Sequence, residues 1–491
     1  MNEAPVYLDH AATTPVDPTV AALMAQLLAE PLGNPGSNHP PGRRAATLVD
    51  AARAQVAALV GADPSCVVFT SGATEANNLA ILGHFRGLPV AQRQGAHVVT
   101  LSTEHKAVLA PVARLERDGV RASVLQPGPT GRIELARFEA ALRPETRLAS
   151  LLHVNNETGV VQDIAGIAAC CATRGIALHV DAAQSAGWLP LDMAGIDYLS
   201  ISAHKLGGPP GVGALVVAPR RRGGLDPLIL GGGQERGLRS GTLPVHQIAG
   251  FGLACERVLN ERAEAASRVA ALRDRLQAGL ESLPGVVFNG DRVHRSPAIL
   301  NLSFEDVEGE SLFAGLPELA LSTGSACNSA SGEPSFVLRA LGRDTQLAQA
   351  SLRFSFGRGT PEAAVDVALT AVRRELERLR ALSPHRPLPV ADWQGEGVRL
   401  RIGEAGASRL GTWVRLLLCI KSGRIADVRF QAYACPHVLA ACAHVAESLR
   451  GLPEAAPAPG SPESWRVAVG APVEKLGRML IIEDALRAAR A

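Results

Sequence analysis

The sequence has 491 residues, of which 47% are hydrophobic and 20% are charged. This length exceeds that of one ordinary domain and predicts about two to four, and the composition is that of a globular protein rather than a long disordered chain. The formal net charge of +2 gives no overall attraction to nucleic acid or to an anionic membrane, so we expect neither as a direct partner.

The cysteines and the N-terminal residues indicate the compartment. The eight cysteines form no CxxC pair and no regular framework, and the first residues lack the apolar core of a signal peptide. No uninterrupted apolar stretch has the length of a membrane span. The sequence therefore predicts a cytoplasmic protein with reduced thiols.

From about residue 64 to residue 217, short apolar runs alternate with segments of helical periodicity. The runs predict strands at residues 67–70, 97–101, 149–154, 176–180, 198–202 and 212–217, and helices are predicted at residues 75–86, 106–118 and 164–174. Buried strands that alternate with helices predict an α/β fold with a mainly parallel sheet. Ligand-binding groups are then expected at the carboxyl ends of the strands.

The second half of the chain predicts a smaller α/β unit, a linker and one more domain. A long helix at residues 245–281 is followed by strands at 298–304 and 351–356 and by a helix at 361–382. Residues 384–397 carry three prolines and predict a linker. Residues 398–491 are long enough for a further small domain.

Polar side chains follow several of the predicted strands. Ser71 and Thr74 lie in a turn of small residues that enters a helix, which is typical of an anion site and also of a simply capped helix. Asp181 ends one strand, and Lys205 follows the next strand. A carboxylate and a lysine at neighbouring strand ends suit a pyridoxal-phosphate (PLP) site, where the lysine forms a Schiff base and the carboxylate keeps the pyridine nitrogen protonated. For these two residues alone, a structural ion pair is the alternative.

Ordered motifs along the chain support the PLP interpretation. They are Tyr7-Leu-Asp-His-Ala-Ala-Thr-Thr-Pro, Phe69-Thr-Ser-Gly-Ala-Thr-Glu, Thr103-Glu-His-Lys, His153-Val-Asn-Asn-Glu, Val180-Asp-Ala-Ala-Gln-Ser, Ser202-Ala-His-Lys, Arg236-Gly-Leu-Arg-Ser-Gly-Thr-Leu-Pro-Val and Ser325-Ala-Cys-Asn-Ser-Ala. With these motifs, residues 5–383 resemble the NifS/IscS-type cysteine desulfurases, in the class V aminotransferase-like branch of the fold-type I PLP enzymes. The resemblance implies a large domain over about residues 15–257 and a small domain formed by residues 1–14 and 258–383.

The resemblance also implies roles for individual residues. Those around the cofactor ring are Lys205 as the Schiff-base lysine, Asp181 at the pyridinium nitrogen, Gln184 at the phenolic oxygen, and His105 as the stacking residue and proton relay. The phosphate would be held by Ala73, Thr74, Ser202 and His204, with Thr242 supplied by the second subunit of a homodimer. Asn156 would contact the cofactor and, with Arg353, bind the substrate carboxylate, for which the planar arginine fork is suited.

Cys327 lies in a run of small, polar and flexible residues, unlike the setting of a packed structural cysteine. By resemblance its thiolate would attack the sulfur of L-cysteine bound to PLP, giving a persulfide on the enzyme and alanine. The same cysteine would then deliver the sulfur to acceptor or iron–sulfur scaffold proteins. Cys327 argues against a plain aminotransferase, whereas selenocysteine stays open as an additional substrate.

The last domain resembles the IscU/NifU-type iron–sulfur scaffolds, whose fold is shared by SufE-type sulfur acceptors. Two strands joined by a turn cover residues 411–430, a helix follows at 438–449, and Cys435 matches one scaffold cysteine. The other ligand positions hold Leu410, Thr412, Gly477 and Arg478. One cysteine cannot supply the ligands of a cluster, so we predict no metal site.

Two interpretations of this last domain remain open. Cys435 lies in a turn and is expected to be accessible, so it is a candidate acceptor of sulfur from Cys327 within the same chain. The alternative is a domain that only docks partners or stabilises the protein. The final destination of the sulfur, which includes iron–sulfur clusters, thio-cofactors and thiolated tRNA, is open as well.

Overall fold

A computed structural model describes residues 4–323 and 333–491, so the predicted persulfide residue Cys327 lies outside the described residues. The strands are β1 (Val6–Tyr7), β2 (Val67–Thr70), β3 (His97–Leu101), β4 (Arg121–Leu125), β5 (Thr146–Leu152), β6 (Ala177–Asp181), β7 (Tyr198–Ser202), β8 (Gly213–Val217), β9 (Val286–Phe288), β10 (Ile299–Phe304), β11 (Leu319–Ala320), β12 (Ser322–Thr323), β13 (Ser351–Ser355), β14 (Val398–Ala407), β15 (Thr412–Lys421) and β16 (Arg424–Tyr433).

The helices alternate with these strands in the first half of the chain and flank them in the second. They are α1 (Pro18–Ala29), α2 (Pro40–Leu59), α3 (Ala73–Asn78), α4 (His84–Gly87), α5 (Val90–Arg93), α6 (Lys106–Arg117), α7 (Leu135–Ala141), α8 (Ile164–Ala172), α9 (Val245–Glu281), α10 (Gly309–Ala314), α11 (Phe336–Ala340), α12 (Thr345–Gln349), α13 (Ala363–Ala381), α14 (Pro436–Leu449), α15 (Pro462–Ala468) and α16 (Leu476–Arg490). A π-helical turn, Leu79–Gly83, joins α3 to α4. No helix within these described ranges is both long and apolar enough to cross a membrane.

A seven-stranded sheet in the order β2-β8-β7-β6-β5-β3-β4 forms the centre of residues 64–217. The pairs from β4 to β7 are parallel, and β8 pairs antiparallel with both β7 and β2. This confirms the predicted mainly parallel α/β sheet. The carboxyl ends of β5, β6 and β7 therefore meet at one edge, which brings together residues far apart in sequence.

Both faces of this sheet are covered by helices. Val67 and Phe69 of β2 pack in one core with residues of α2 and α9, whereas Val68 between them packs in a second core with residues of α3 and α6. Alternate side chains of a strand point to opposite faces. Burial on both faces explains why these strands are nearly continuous apolar runs in the sequence.

The predicted long helix is α9, with the expected bounds, and it leads into a second, four-stranded sheet in the order β12-β13-β10-β9. All of its pairs are antiparallel. The short strands β1 and β11 pair in parallel beside it. Apolar residues of α9 and α13 pack against this sheet in one shared core.

Residues 398–491, called here the C-terminal unit, contain the antiparallel sheet β14-β15-β16 with α14, α15 and α16. The two strands and the helix predicted for this region are present as β15, β16 and α14. Strand β14 and helix α15 were not predicted from the sequence, since β14 carries polar and small residues at most positions and α15 falls in a segment rich in Pro, Ala and Ser. The apolar residues of the unit join the core of the four-stranded sheet.

Polar contacts also fix the C-terminal unit to α10 and α12. The Ser311 hydroxyl donates to the carbonyl of Ala434 over 2.7 Å, and Lys475 pairs with Glu310 at 2.7 Å. The Gln346 amide donates to the carbonyl of Ser408 over 2.6 Å. Together with the shared core, these contacts place the C-terminal unit directly against α10 and α12.

Candidate active site

A cavity of about 490 Å³ lies at the carboxyl edge of the seven-stranded sheet. Ten of the residues expected at the site line it, namely Ala73, Thr74, His105, Asn156, Asp181, Gln184, Ser202, His204, Lys205 and Arg353. The first nine come together because each follows or ends a strand of the seven-stranded sheet or begins the helix after it, whereas Arg353 lies within β13 of the four-stranded sheet. Thr242 is exposed and does not line the cavity, so its supply by a second subunit stays a prediction.

Asp181, the last residue of β6, is buried and held from two sides. The Asn77 side chain amide donates to Oδ2 of Asp181 over 2.7 Å, and the Ala183 backbone N–H donates to Oδ1 over 2.9 Å. Both carboxylate oxygens therefore accept hydrogen bonds, as an ionised acid does. Asn77 was not singled out from the sequence, where it is one polar residue of a helix.

Lys205 ends a 3₁₀ turn that directly follows β7. Its ammonium donates to the carbonyl of Ala12 over 2.6 Å and also to that of Ala11. The Gln184 amide donates to the same Ala11 carbonyl over 2.8 Å. The N-terminal segment thus forms one wall of the cavity and holds the amine of the lysine in place.

His105 is the N-cap residue of α6, and its Nδ1 accepts a hydrogen bond from the Ala107 backbone N–H over 3.1 Å. Burial lowers the pKa of His105 below its ordinary value, and the charge of Lys205 lowers it further, although the charge of Asp181 opposes the shift. The neutral ring is therefore favoured. Because Nδ1 accepts from Ala107, the neutral ring carries its proton on Nε2, and it is suited to stack on a flat aromatic ligand and to donate from Nε2.

Arg353, in β13, is buried at the far side of the cavity. Its Nη2 donates to Asp9 over 2.6 Å, and its Nη1 donates to the carbonyl of Asn156 over 2.9 Å. The Nε of Arg353 is buried without a hydrogen-bond partner. Arg353 as a residue lines the cavity, and a guanidinium is a suitable partner for a carboxylate ligand.

Two buried acidic residues were missed in the sequence: Glu157, which lines the cavity, and Glu104, which does not line it but interacts with the charge of Asp181. Glu104 is fully buried, accepts a hydrogen bond from the Leu152 backbone N–H over 2.7 Å, and has its pKa raised by burial and by the charge of Asp181. Burial raises the pKa of Glu157 to about 7, and this residue accepts a hydrogen bond from Ser335. The motifs contained both residues, but nothing in the sequence indicated their burial.

Small residues shape the end of the cavity at the start of α3. Gly72 precedes this helix with a φ of 152°, and a Cβ atom on Gly213 would lie 2.7 Å from the Cα of Gly72. Only glycine fits this close approach of β8 to the turn. The turn thereby keeps backbone N–H groups at the helix start next to the hydroxyl of Ser202, both on the cavity wall.

The chemistry of these side chains fits PLP. A carboxylate is available for the ring nitrogen, a lysine for covalent attachment, and a neutral imidazole for stacking. Helix-start N–H groups and the polar side chains of Thr74, Ser202 and His204 line the cavity and are available as donors to a phosphate. The fold and the site together define a fold-type I PLP enzyme with an α/β architecture.

Cys435 does not line this cavity, and its surroundings differ from the accessible turn that the sequence predicts. It is the N-cap residue of α14, its exposed fraction is 0%, and it belongs to the core shared by the C-terminal unit and the four-stranded sheet. The prediction of an accessible thiol is therefore wrong. Ala434 and Val438, on either side of this turn, are buried as well, so the whole turn faces the core.

Comparisons with known proteins agree with the site. The model of the family "Aminotransferase class-V" matches residues 6–367. Over 385 residues the chain is 51% identical to the cysteine desulfurase IscS of Escherichia coli O139:H28. The aligned region covers 77% of this chain and 95% of that protein.

Solved structures give the same result. A NifS-like protein has a TM-score of 0.71 and 33% identity, over 76% of this chain and all (100%) of that chain. DndA from Streptomyces lividans has a TM-score of 0.61 and 44% identity, over 71% of this chain and 99% of that chain. The chain belongs to the cysteine desulfurases of the class V aminotransferase family, which are PLP-dependent enzymes.

Proposed function

We propose that the protein converts L-cysteine to L-alanine and leaves the removed sulfur as a persulfide on Cys327. The observation that carries this proposal is the cavity in which Asp181, His105, Lys205 and Arg353 converge. The overall change balances, since L-cysteine and the Cys327 thiol give L-alanine and the Cys327 persulfide. No outside oxidant or reductant takes part.

Each residue at the cavity has a proposed task. PLP, when bound, supplies an electron sink for the carbon skeleton of the substrate. Lys205 anchors the cofactor and moves protons at the substrate Cα, while Asp181 keeps the proton on the ring nitrogen. His105 packs on the ring and exchanges protons in its neutral form. Arg353 and Asn156 hold the substrate carboxylate.

Sulfur transfer requires a thiolate from Cys327. This thiolate attacks the substrate Sγ, so that an S–S bond forms while the bond between Cβ and Sγ breaks. A proton delivered to Cβ completes alanine. The roles of Ala73, Thr74, Ser202 and His204 as phosphate ligands, and of Thr242 from the second subunit of a homodimer, belong to the same proposal.

We also propose that residues 1–383 form the desulfurase, that residues 384–397 link it to the C-terminal unit, and that this unit is an IscU-like domain. Burial of Cys435 favours a docking or structural role of the unit over an internal relay. For Cys435 to relay sulfur, its side chain would first have to leave a core that also contains Val438 and Cys442. The sulfur is expected to supply iron–sulfur cluster assembly or another thio-cofactor or tRNA thiolation pathway.

A persulfide map tests this proposal. The holoenzyme is mixed briefly with L-cysteine, alkylated, digested and analysed by mass spectrometry, and alanine is measured in parallel. We expect one extra sulfur on Cys327. The variant C327S should retain the visible absorption of bound PLP and lose the persulfide. Full sulfide release by C327S would refute the assignment of Cys327.

A further inference from the structure

The N-terminal segment of residues 8–14 is bonded to the strand that carries Arg353. The backbone N–H of Ser355, in β13, donates to the carbonyl of Leu8 over 2.7 Å. The backbone N–H of Ala11 donates to the hydroxyl of Ser355 over 2.8 Å. Two hydrogen bonds to one residue of β13 therefore fix the start of the segment to the four-stranded sheet.

The other end of the segment is bonded to residues that follow β7 of the seven-stranded sheet. The Lys205 ammonium donates to the carbonyl of Ala12 over 2.6 Å and also to that of Ala11. The Thr14 hydroxyl donates to the carbonyl of His204 over 2.7 Å. The segment thus crosses from one sheet to the other and contacts the active-site residues that each sheet supplies.

Asp9 is the residue of this segment that bonds to Arg353. Its Oδ1 accepts from Nη2 of Arg353 over 2.6 Å, and the exposed fractions of the two side chains are 20% for Asp9 and 5% for Arg353. A guanidinium that is so deeply buried requires a nearby negative charge. Asp9 does not line the active-site cavity, whereas Arg353 does. Asp9 is therefore placed to act on Arg353 and not on a ligand in the cavity.

The contacts of Arg353 orient its guanidinium and leave donors for a ligand. Each η nitrogen carries two N–H groups, and Nε carries one. Asp9 accepts from Nη2, and the carbonyl of Asn156 accepts from Nη1 over 2.9 Å. These two contacts define the plane of the guanidinium, and each uses one N–H group. A second N–H group on each η nitrogen is therefore available to a carboxylate.

The substrate requires a fixed separation between Arg353 and Lys205. The amino and carboxylate groups of an α-amino acid are attached to the same carbon atom, so the protein groups that act on them must be held at one spacing. Arg353 and Lys205 lie on different sheets, and both bond to residues 9–12. This short run of chain therefore relates the position of one to that of the other.

We propose that Asp9 is a positioning residue, whose carboxylate holds the guanidinium of Arg353 in the orientation that binds the substrate carboxylate. The inference rests on the proposed function, in which Arg353 binds the carboxylate of L-cysteine. Asp9 acts through Arg353, and residues 9–12 keep this arginine at the spacing from Lys205 that an α-amino acid requires.

The test is a double-mutant cycle on the holoenzyme, in which alanine formation is measured over a range of L-cysteine concentrations. D9A should raise KM about tenfold and retain kcat, as expected when a charged hydrogen bond that orients a binding group is lost. D9N retains an acceptor oxygen without the charge, so its KM should lie between those of the parent and D9A. In an R353Q background, D9A should lower kcat/KM no further, because the group through which Asp9 acts is absent.

D17N is the matched control for these variants. Asp17 also lies near the N-terminus and pairs with an arginine, Arg257, at 3.0 Å, but it does not line the active-site cavity. Asparagine can replace aspartate as the N-cap of α1. D17N should therefore have the KM of the parent. The visible absorption of bound PLP is recorded for every variant, and D9A and D9N should retain it.

Three results would overturn the inference. They are a KM of D9A that equals or falls below that of the parent, an equal loss of kcat/KM from D9A in the parent and R353Q backgrounds, and a loss of bound PLP in both D9A and D9N. Failure of the proposed role of Arg353 is distinguishable, because R353Q alone would then keep the KM of the parent.

Discussion

Asn77 donates a hydrogen bond to Asp181 over 2.7 Å, and the Oδ1 atom of the same amide is buried without a partner. The two residues are 104 positions apart. Asn77 is the penultimate residue of α3 and Asp181 is the last residue of β6, so folding of the sheet brings them together. The bond fixes the carboxylate that is proposed to hold the proton of the cofactor ring.

The first prediction concerns this bond. N77L removes a donor from a buried carboxylate, and we expect PLP to bind about tenfold more weakly, since a hydrogen bond to a charged group contributes about 1.5–3 kcal/mol. Titration of the apoenzyme with PLP, followed by visible absorption, measures the change. Q26L alters an exposed amide that bonds to Glu30 away from the cavity and serves as the control. Equal PLP affinities for N77L and the parent would remove Asn77 from the site.

A second prediction concerns Arg353. R353K retains the positive charge but loses the planar fork that donates to two groups at once. We expect the KM for L-cysteine to rise about tenfold or more, with the absorption of bound PLP unchanged. The control is R343K, because Arg343 bonds to Asn289 and to the Phe288 carbonyl away from the cavity. A parent-like KM in R353K would show that the substrate carboxylate binds elsewhere.

The third prediction is a pH dependence set by Glu157. Its pKa is about 7 in the folded protein and 4.5 ordinarily, so between these values the unfolded chain releases a proton that the folded chain retains. Stability from this group is therefore complete below pH 4.5, falls as the pH rises to about 7, and is constant above.

The variant E157Q isolates this effect, since its amide oxygen can still accept from Ser335 and carries no charge. Thermal unfolding from pH 5 to pH 8 should show a Tm advantage of E157Q that grows to roughly 2–4 °C near pH 7. E139Q, at an exposed ion pair with Arg174, should show no such growth. A constant difference at all pH values would contradict a raised pKa of Glu157.

The fourth prediction addresses Cys435. C435A removes one buried sulfur atom from a packed core, so we expect a modest loss of stability, about 1 kcal/mol, and parent rates of alanine formation and Cys327 persulfide formation. The parent protein should carry no extra sulfur on Cys435 after incubation with L-cysteine. Extra sulfur on Cys435 that disappears in C327S would instead establish the internal relay.

The sequence alone was sufficient for the elements whose pattern is local. Strands β2, β3 and β7 and helix α9 have the predicted bounds. A strand buried on both faces is a continuous apolar run bounded by turn residues, and a long helix shows apolar residues every three to four positions over many turns. Asp181 and Lys205 were placed at strand ends by the same local pattern, and ordered motifs then identified the family.

Tertiary structure decided what depends on residues distant in sequence. The contact of Asn77 with Asp181, the raised pKa of Glu157 and the burial of Cys435 each arise from neighbours that the chain brings close only after folding. Strand β14 opens with the alternating run Val398-Arg-Leu-Arg-Ile402, but its last five residues are Gly, Ala and Glu and form a strand because β15 offers them a complete ladder of partners. Burial and hydrogen bonding are properties of the packed chain, so a turn residue such as Cys435 can be exposed or enclosed with the same local sequence.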